Sequence, residues 1–216
     1  MSPGINLRSS RIPVVTMNAK HPLAIRWFHW LNFPLLSLMI WSGLLIYWAN
    51  DTLFSFPDWF YKKAQIEFRL SDGMQYHFLF MWLFAINGVC YVAYTIVSGE
   101  WRELVPGRGA FQQAFQVVLH DLGIRKEPLP VAKFNAAQQF AYTGVVLMGL
   151  GSLVTGLAIY RPVQLSFLHQ AVGGYQNART IHFLLTVGYV GFFLMHVAQV
   201  IRGGWPNFRA MVTGHE

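Results

Sequence analysis

The sequence predicts an all-α protein: an integral membrane four-helix bundle with both termini in the cytoplasm. Three observations predict it. Only 12% of the 216 residues are charged while 54% are hydrophobic, whereas a soluble domain carries about 25% charged residues. Four stretches are long and apolar enough to cross a hydrocarbon core, which takes about 20 residues of helix. Lysine and arginine are also shared unequally among the segments that join those stretches.

The four spans fall at about 29–49, 77–97, 139–160 and 181–201, and none contains Asp, Glu, Lys or Arg. Trp27, Trp30, Trp48, Trp101 and Tyr160 gather near their ends, where amphipathic rings anchor at the membrane interface. Pro34 comes early in the first span, a place where neighbouring helices make a kink tolerable. The middle connection contains WRELVPGRGAFQQAFQVVLHDLGIRKEPLP and predicts an amphipathic helix at about 110–122 on the membrane surface. With no repeat of fixed period and no low-complexity tract, residues 1–216 read as a single membrane domain.

Orientation follows from the cations. Both tails and the middle connection share one side and hold 11 Lys and Arg, including Arg8, Arg11, Lys20 and Lys126. The first and third connections hold 5. Positive residues favour the cytoplasmic side, so the tails face inward, and the +7 net charge is read as contact with lipid, with no nucleic acid partner. Residues 1–20 lack an apolar core, so no cleavable signal peptide is expected. The expected location is the bacterial cytoplasmic (inner) membrane. Cys90 is the sole cysteine, which excludes a disulfide framework, a CxxC pair and a CxxCH haem attachment.

Histidines carry the functional signal. In the predicted orientation His29 lies at the inner end of span one and His77 at the outer end of span two. His182 and His196, both in span four, are outer and inner. Fourteen residues of helix separate these two by about 21 Å in height but only about 40° in azimuth. The result is two pairs at two depths, His29 with His196 and His77 with His182. Each pair suits bis-imidazole ligation of a non-covalent haem b, which leaves no open iron position and therefore suits electron transfer. Gly43, Gly88, Gly149, Gly151, Gly156, Gly188 and Gly191 provide small positions where a porphyrin could pass. His21, His120, His169 and His215 read as ordinary tail and loop residues. Metal transport would need ligands clustered in one site together with carboxylates, which these spans lack.

With those residues placed, the chain resembles the bacterial cytochrome b561 / nickel-hydrogenase b-type cytochrome group, which includes the membrane subunits of formate dehydrogenase. The resemblance is carried by RWFHW (26–30), His77, KFNAAQQFAY (133–142) and the His182/His196 pair. The tail RGGWPNFRAMVTG (202–214) is most similar to the thiosulfate-reductase-type cytochrome b subunit. The resemblance covers roughly residues 20 to 214. It implies a four-helix subunit with two haems, ligated by His29, His77, His182 and His196. Electrons would pass between quinone, as substrate, and an extracytoplasmic catalytic oxidoreductase subunit of the molybdopterin-dependent kind. Lys133, Asn135 and Gln138 match a quinone-binding region near the inner haem. Two departures are Ala137, where formate dehydrogenase subunits carry Gly, and a long first connection at 50–76.

Elementary chemistry is compatible with that assignment. Asn135 and Gln138, three apart, share a helix face, and amides both donate to and accept from quinone oxygens. The same two residues could equally cap the helix start. Arg26 could pair with a haem propionate or act as a cytoplasmic anchor. The expected function is therefore electron transfer by a dihaem membrane subunit, with no catalytic residue of its own beyond quinone redox. Two rivals stand beside it: a freestanding cytochrome oxidising a small donor, and a haem-free membrane anchor or metal transporter.

Overall fold

A computed structural model describes residues 21–49, 53, 55–125 and 133–214. Arg8, Arg11, Lys20, Lys126 and His215, and the N-terminal segment read as lacking a signal peptide, lie outside the described residues. Eight helices follow in order: α1 (Leu23–Tyr47), α2 (Asp58–Ala64), α3 (Leu70–Ser98), α4 (Trp101–Leu104), α5 (Ala110–Asp121), α6 (Ala136–Tyr160), α7 (Ser166–Ala171) and α8 (Tyr175–Thr213). Among the described residues there is no strand, and α1, α3, α6 and α8 are each long and apolar enough to cross a membrane.

Each long helix begins about one to two turns before the apolar stretch that announces it. The leading residues, such as LSDGMQY in α3 and YQNART in α8, are polar but contain no proline. Helical hydrogen bonding continues through them because it depends on backbone geometry and not on hydropathy. As a consequence His29, His77 and His182 lie well inside their helices instead of opening them.

Two surface elements close one end of the bundle, here called the near end because α1 starts there. Helix α5 matches the surface helix expected at 110–122, and its last residue is tied to α8. Gln199 donates to the Asp121 carboxylate at 3.0 Å and Arg202 to the Asp121 carbonyl at 3.1 Å. Helix α8 breaks at Gly204 (φ 75°, ψ 179°), in the left-handed range that glycine tolerates without a Cβ penalty. The segment beyond, which the sequence presents as a tail, is helical to Thr213 and folds back on α1. There the Trp30 indole N–H donates to the Met211 carbonyl at 3.1 Å and its ring meets Phe208 edge-on.

The four long helices pack as two pairs. Helix α1 lies closely along α3, and α6 along α8, while the pairs meet across a much sparser seam. Ring contacts bridge that seam: Phe33 with Phe193, Tyr47 with Phe183, and Phe78 with Tyr160. The tightest glycine contact between paired helices is at Gly73, where an added Cβ would stand 2.7 Å from the Leu45 Cβ and 3.1 Å from its backbone carbon. Small residues permit such approaches in membranes, where association depends on packing. The glycines divide by location. Gly149, Gly151 and Gly188 meet side chains across the α6–α8 interface, so they serve helix packing. Gly43 and Gly156 abut His77 and His182.

Candidate functional site

Both predicted histidine pairs assemble, and both cross the seam. His29 of α1 faces His196 of α8 near the near end, with ring centroids 5.9 Å apart. His77 of α3 faces His182 of α8 toward the far end, with centroids 6.2 Å apart. Helix α8 thus supplies one ring to each pair, and its opposite partner comes from each member of the other helix pair in turn. All four rings are partly screened from solvent in the helix interior.

These distances allow a test of fit. An imidazole nitrogen stands about 2.0–2.1 Å from a bound metal and about 1.1 Å from its ring centre, so two rings sharing one ion lie about 6.3 Å apart. Both observed separations are close to that value. Among the described residues no three His, Cys, Asp or Glu side chains come together. A metal in either gap would therefore take two protein ligands, which is the donor set a six-coordinate haem iron would need from the chain, and His29 with His196 and His77 with His182 are the residues that would hold it.

The far-end pair is held by a further layer that the sequence reading missed. His77 Nδ1 lies 3.0 Å from Ser42 Oγ, and His182 Nδ1 lies 2.9 Å from Thr155 Oγ1. Near the other pair, His29 Nδ1 and Arg26 Nε are both buried without a protein partner. The orphaned Arg26 nitrogen, one turn before His29, fits the anionic edge of a haem better than it fits a solvated anchor. Asn87 is another residue the sequence reading passed over. It is buried in α3 and reaches the Phe28 carbonyl at 3.5 Å and Asn32 Oδ1 at 3.4 Å.

The residues matched to a quinone region are differently employed. Asn135 and Gln138 form a reciprocal capping box at the start of α6, each side-chain oxygen accepting the other's backbone N–H at 2.9 Å. Capping, one of the two uses open from sequence, is therefore realised. Their oxygens are engaged and their NH₂ groups are what remain to donate. Lys133 forms an ion pair with Glu100 at 2.6 Å, joining the end of α3 to the start of α6. His21 stacks on Phe134 at 6.4 Å between centroids, which brings the residue before α1 against the same element.

Fold and ring geometry define a membrane-embedded class of haem protein, and comparison gives the family. Residues 20–214 match the family described as prokaryotic cytochrome b561, and the chain belongs to it: a multi-pass bacterial membrane cytochrome whose family binds haem b. It is also 31% identical over 198 residues, 91% of this chain and 97% of the other, to the putative protein-methionine-sulfoxide reductase subunit YedZ1 of Azospira oryzae (strain ATCC BAA-33 / DSM 13638 / PS).

Proposed function

We propose that the chain is a dihaem electron-transfer subunit. His29 with His196 ligates one haem b, and His77 with His182 ligates the other. The observation that carries this reading is the presence of two cross-seam histidine pairs, at 5.9 and 6.2 Å, each spaced for one iron. Bound there, haem would supply one-electron transfer, with these four histidines as its protein ligands. Arg26, whose Nε is buried without a protein partner, offers its guanidinium to a propionate of the near-end haem. In this proposal residues 1–216 form one membrane domain, both termini are in the inner-membrane cytoplasmic compartment, and the near end is the cytoplasmic one.

Quinone exchange is placed at the near end, where the Asn135 and Gln138 amide N–H groups can donate to a quinone carbonyl. The far-end haem would face an extracytoplasmic catalytic subunit. The named relative supports a partner that reduces methionine sulfoxide in proteins, and the family resemblance supports one that carries molybdopterin. A pyridine haemochrome assay on the purified chain should give two haem b per polypeptide. One per polypeptide would overturn the dihaem reading, and none would favour an anchor or transporter.

The quinone assignment has a separate test, because the cap and the donor can be uncoupled. Asn135→Ser keeps an N-cap oxygen but removes the NH₂ group, whereas Asn135→Ala loses both and costs about 1 kcal/mol of stability. Both variants should slow quinol-driven haem reduction roughly five- to tenfold, the worth of one hydrogen bond of about 1 kcal/mol. Only the alanine variant should also melt earlier. A serine variant reduced at the unmodified rate would leave Asn135 as a cap alone.

A further inference from the structure

We infer that Ser42 and Thr155 are a matched pair of positioning residues that fix both far-end imidazoles as Nδ1–H donors and lower the reduction potential of the haem between them. The inference rests on the dihaem reading above and extends it to two residues outside the ligand set.

The argument begins with hydrogen-bond direction. A hydroxyl has one proton to give. Ser42 Oγ lies 2.7 Å from the Leu38 carbonyl, and Thr155 Oγ1 lies 2.7 Å from the Gly151 carbonyl, each four residues earlier in its own helix. A carbonyl can only accept, so each hydroxyl proton is committed there. Toward the histidine, each oxygen can then only accept. His77 Nδ1 and His182 Nδ1 must therefore carry the proton, which leaves each Nε2 bare and free to ligate.

A second observation is the repetition of this arrangement on two different helices. Ser42-Gly43-Leu44-Leu45 in α1 stands behind His77, and Thr155-Gly156-Leu157-Ala158 in α6 stands behind His182. In both, the glycine abuts the ring: an added Cβ would meet His77 Cε1 at 3.6 Å or His182 Cε1 at 3.3 Å. In both, the residue three after the hydroxyl, Leu45 or Ala158, is fully buried. A small buried residue precedes each histidine by one turn, Gly73 before His77 and Ala178 before His182. The two helix pairs thus build the same cradle on one shared pattern, Ser/Thr-Gly-Leu-x-Ile-Tyr, at 42–47 and 155–160. At the near end, no hydroxyl is seen at His29 Nδ1, which is buried and unpartnered.

The electronic consequence has a definite sign. An acceptor on Nδ1–H pulls the proton away from the ring and makes Nε2 more basic. A more basic ligand favours ferric over ferrous iron, so the far-end haem is held at a lower potential than its ligands alone would give. Removing either acceptor should raise it.

The test is a spectroscopic redox titration of the full-length dihaem protein carrying Ser42→Ala or Thr155→Val, with Ser42→Thr and Thr155→Ser as hydroxyl-retaining companions. In each acceptor-free variant the far-end haem should become easier to reduce, by several-fold in its ferrous-to-ferric ratio at a fixed solution potential. The near-end haem should not move and serves as the internal reference. The hydroxyl-retaining variants should titrate like the original chain. Loss of the far-end haem from the acceptor-free variants alone would also support the role. Unchanged potentials at full haem content, or equal shifts in both haems, would overturn it. A preparation in which His77→Ala costs no haem would instead overturn the dihaem reading beneath it.

Discussion

Replacing His182 by alanine should remove one of two haems and leave the other in place, halving the haem content measured by pyridine haemochrome. The reason is the way α8 is shared. His182 and His196 lie on the same helix, yet each faces a ring from a different helix across the seam, His77 at 6.2 Å and His29 at 5.9 Å. Loss of one ring opens one iron and does not touch the other, about 21 Å away along the axis. The pairing itself is tested by combining substitutions, since members of one site act as a unit. His77→Ala with His182→Ala should remove no more haem than either alone, because both changes empty one site. His182→Ala with His196→Ala should remove both haems. If the His77 and His182 changes proved additive, they would belong to different haems and the pairing would be wrong.

The four histidines stand out in the sequence because two independent constraints bear on them. Lipid imposes a run of about 20 apolar residues on every span, which relates each histidine to one end of its span. The 3.6-residue helical period then places His182 and His196 on one face. What surrounds the ligands was not legible, because it depends on which helices are neighbours. A serine or threonine in an apolar helix ordinarily satisfies itself on the carbonyl four residues back, and Ser42 and Thr155 do so. Only the pairing of α1 with α3, and of α6 with α8, shows that their second lone pair meets a histidine. The string Ser/Thr-Gly-Leu-x-Ile-Tyr occurs at both 42–47 and 155–160, but the hydroxyl precedes its histidine by 35 residues in one half and 27 in the other, so no fixed spacing ties the string to its ring.

The near end shows the opposite limit. The spacing of Asn135 and Gln138 was compatible with two uses, a shared donor face and a helix cap, and Asn135 is the N-cap of α6. The reciprocal bonds to backbone N–H groups satisfy two donors that a helix start otherwise leaves open. Lys133 illustrates the same point. Its partner Glu100 is 33 positions away, a contact that no local pattern announces.

Gly73→Ala should be strongly damaging for a single added methyl, and its damage should fall on the far-end histidine pair. The new Cβ would stand 2.7 Å from Leu45 Cβ, 3.0 Å from Ile46 Cγ1 and 3.1 Å from the Leu45 backbone carbon. Leu45 is fully buried, so its side chain has nowhere to rotate, and a backbone atom cannot yield without moving α1. Overpacking of this kind costs about 1–3 kcal/mol. The strain has a direction, because positions four apart share a helix face and Gly73 is four before His77. Pushing α3 from α1 would draw the His77 ring away from Ser42 and alter its approach to His182, while His29 and His196 keep their places. Thermal release of haem, followed at the Soret band, should therefore split into an earlier far-end step and an unshifted near-end step. Gly144→Ala in α6 is the control, since a Cβ there meets nothing within 4 Å and alanine favours helix over glycine by about 1 kcal/mol. If both variants released haem alike, close packing of α1 on α3 would not be what holds His77 in position.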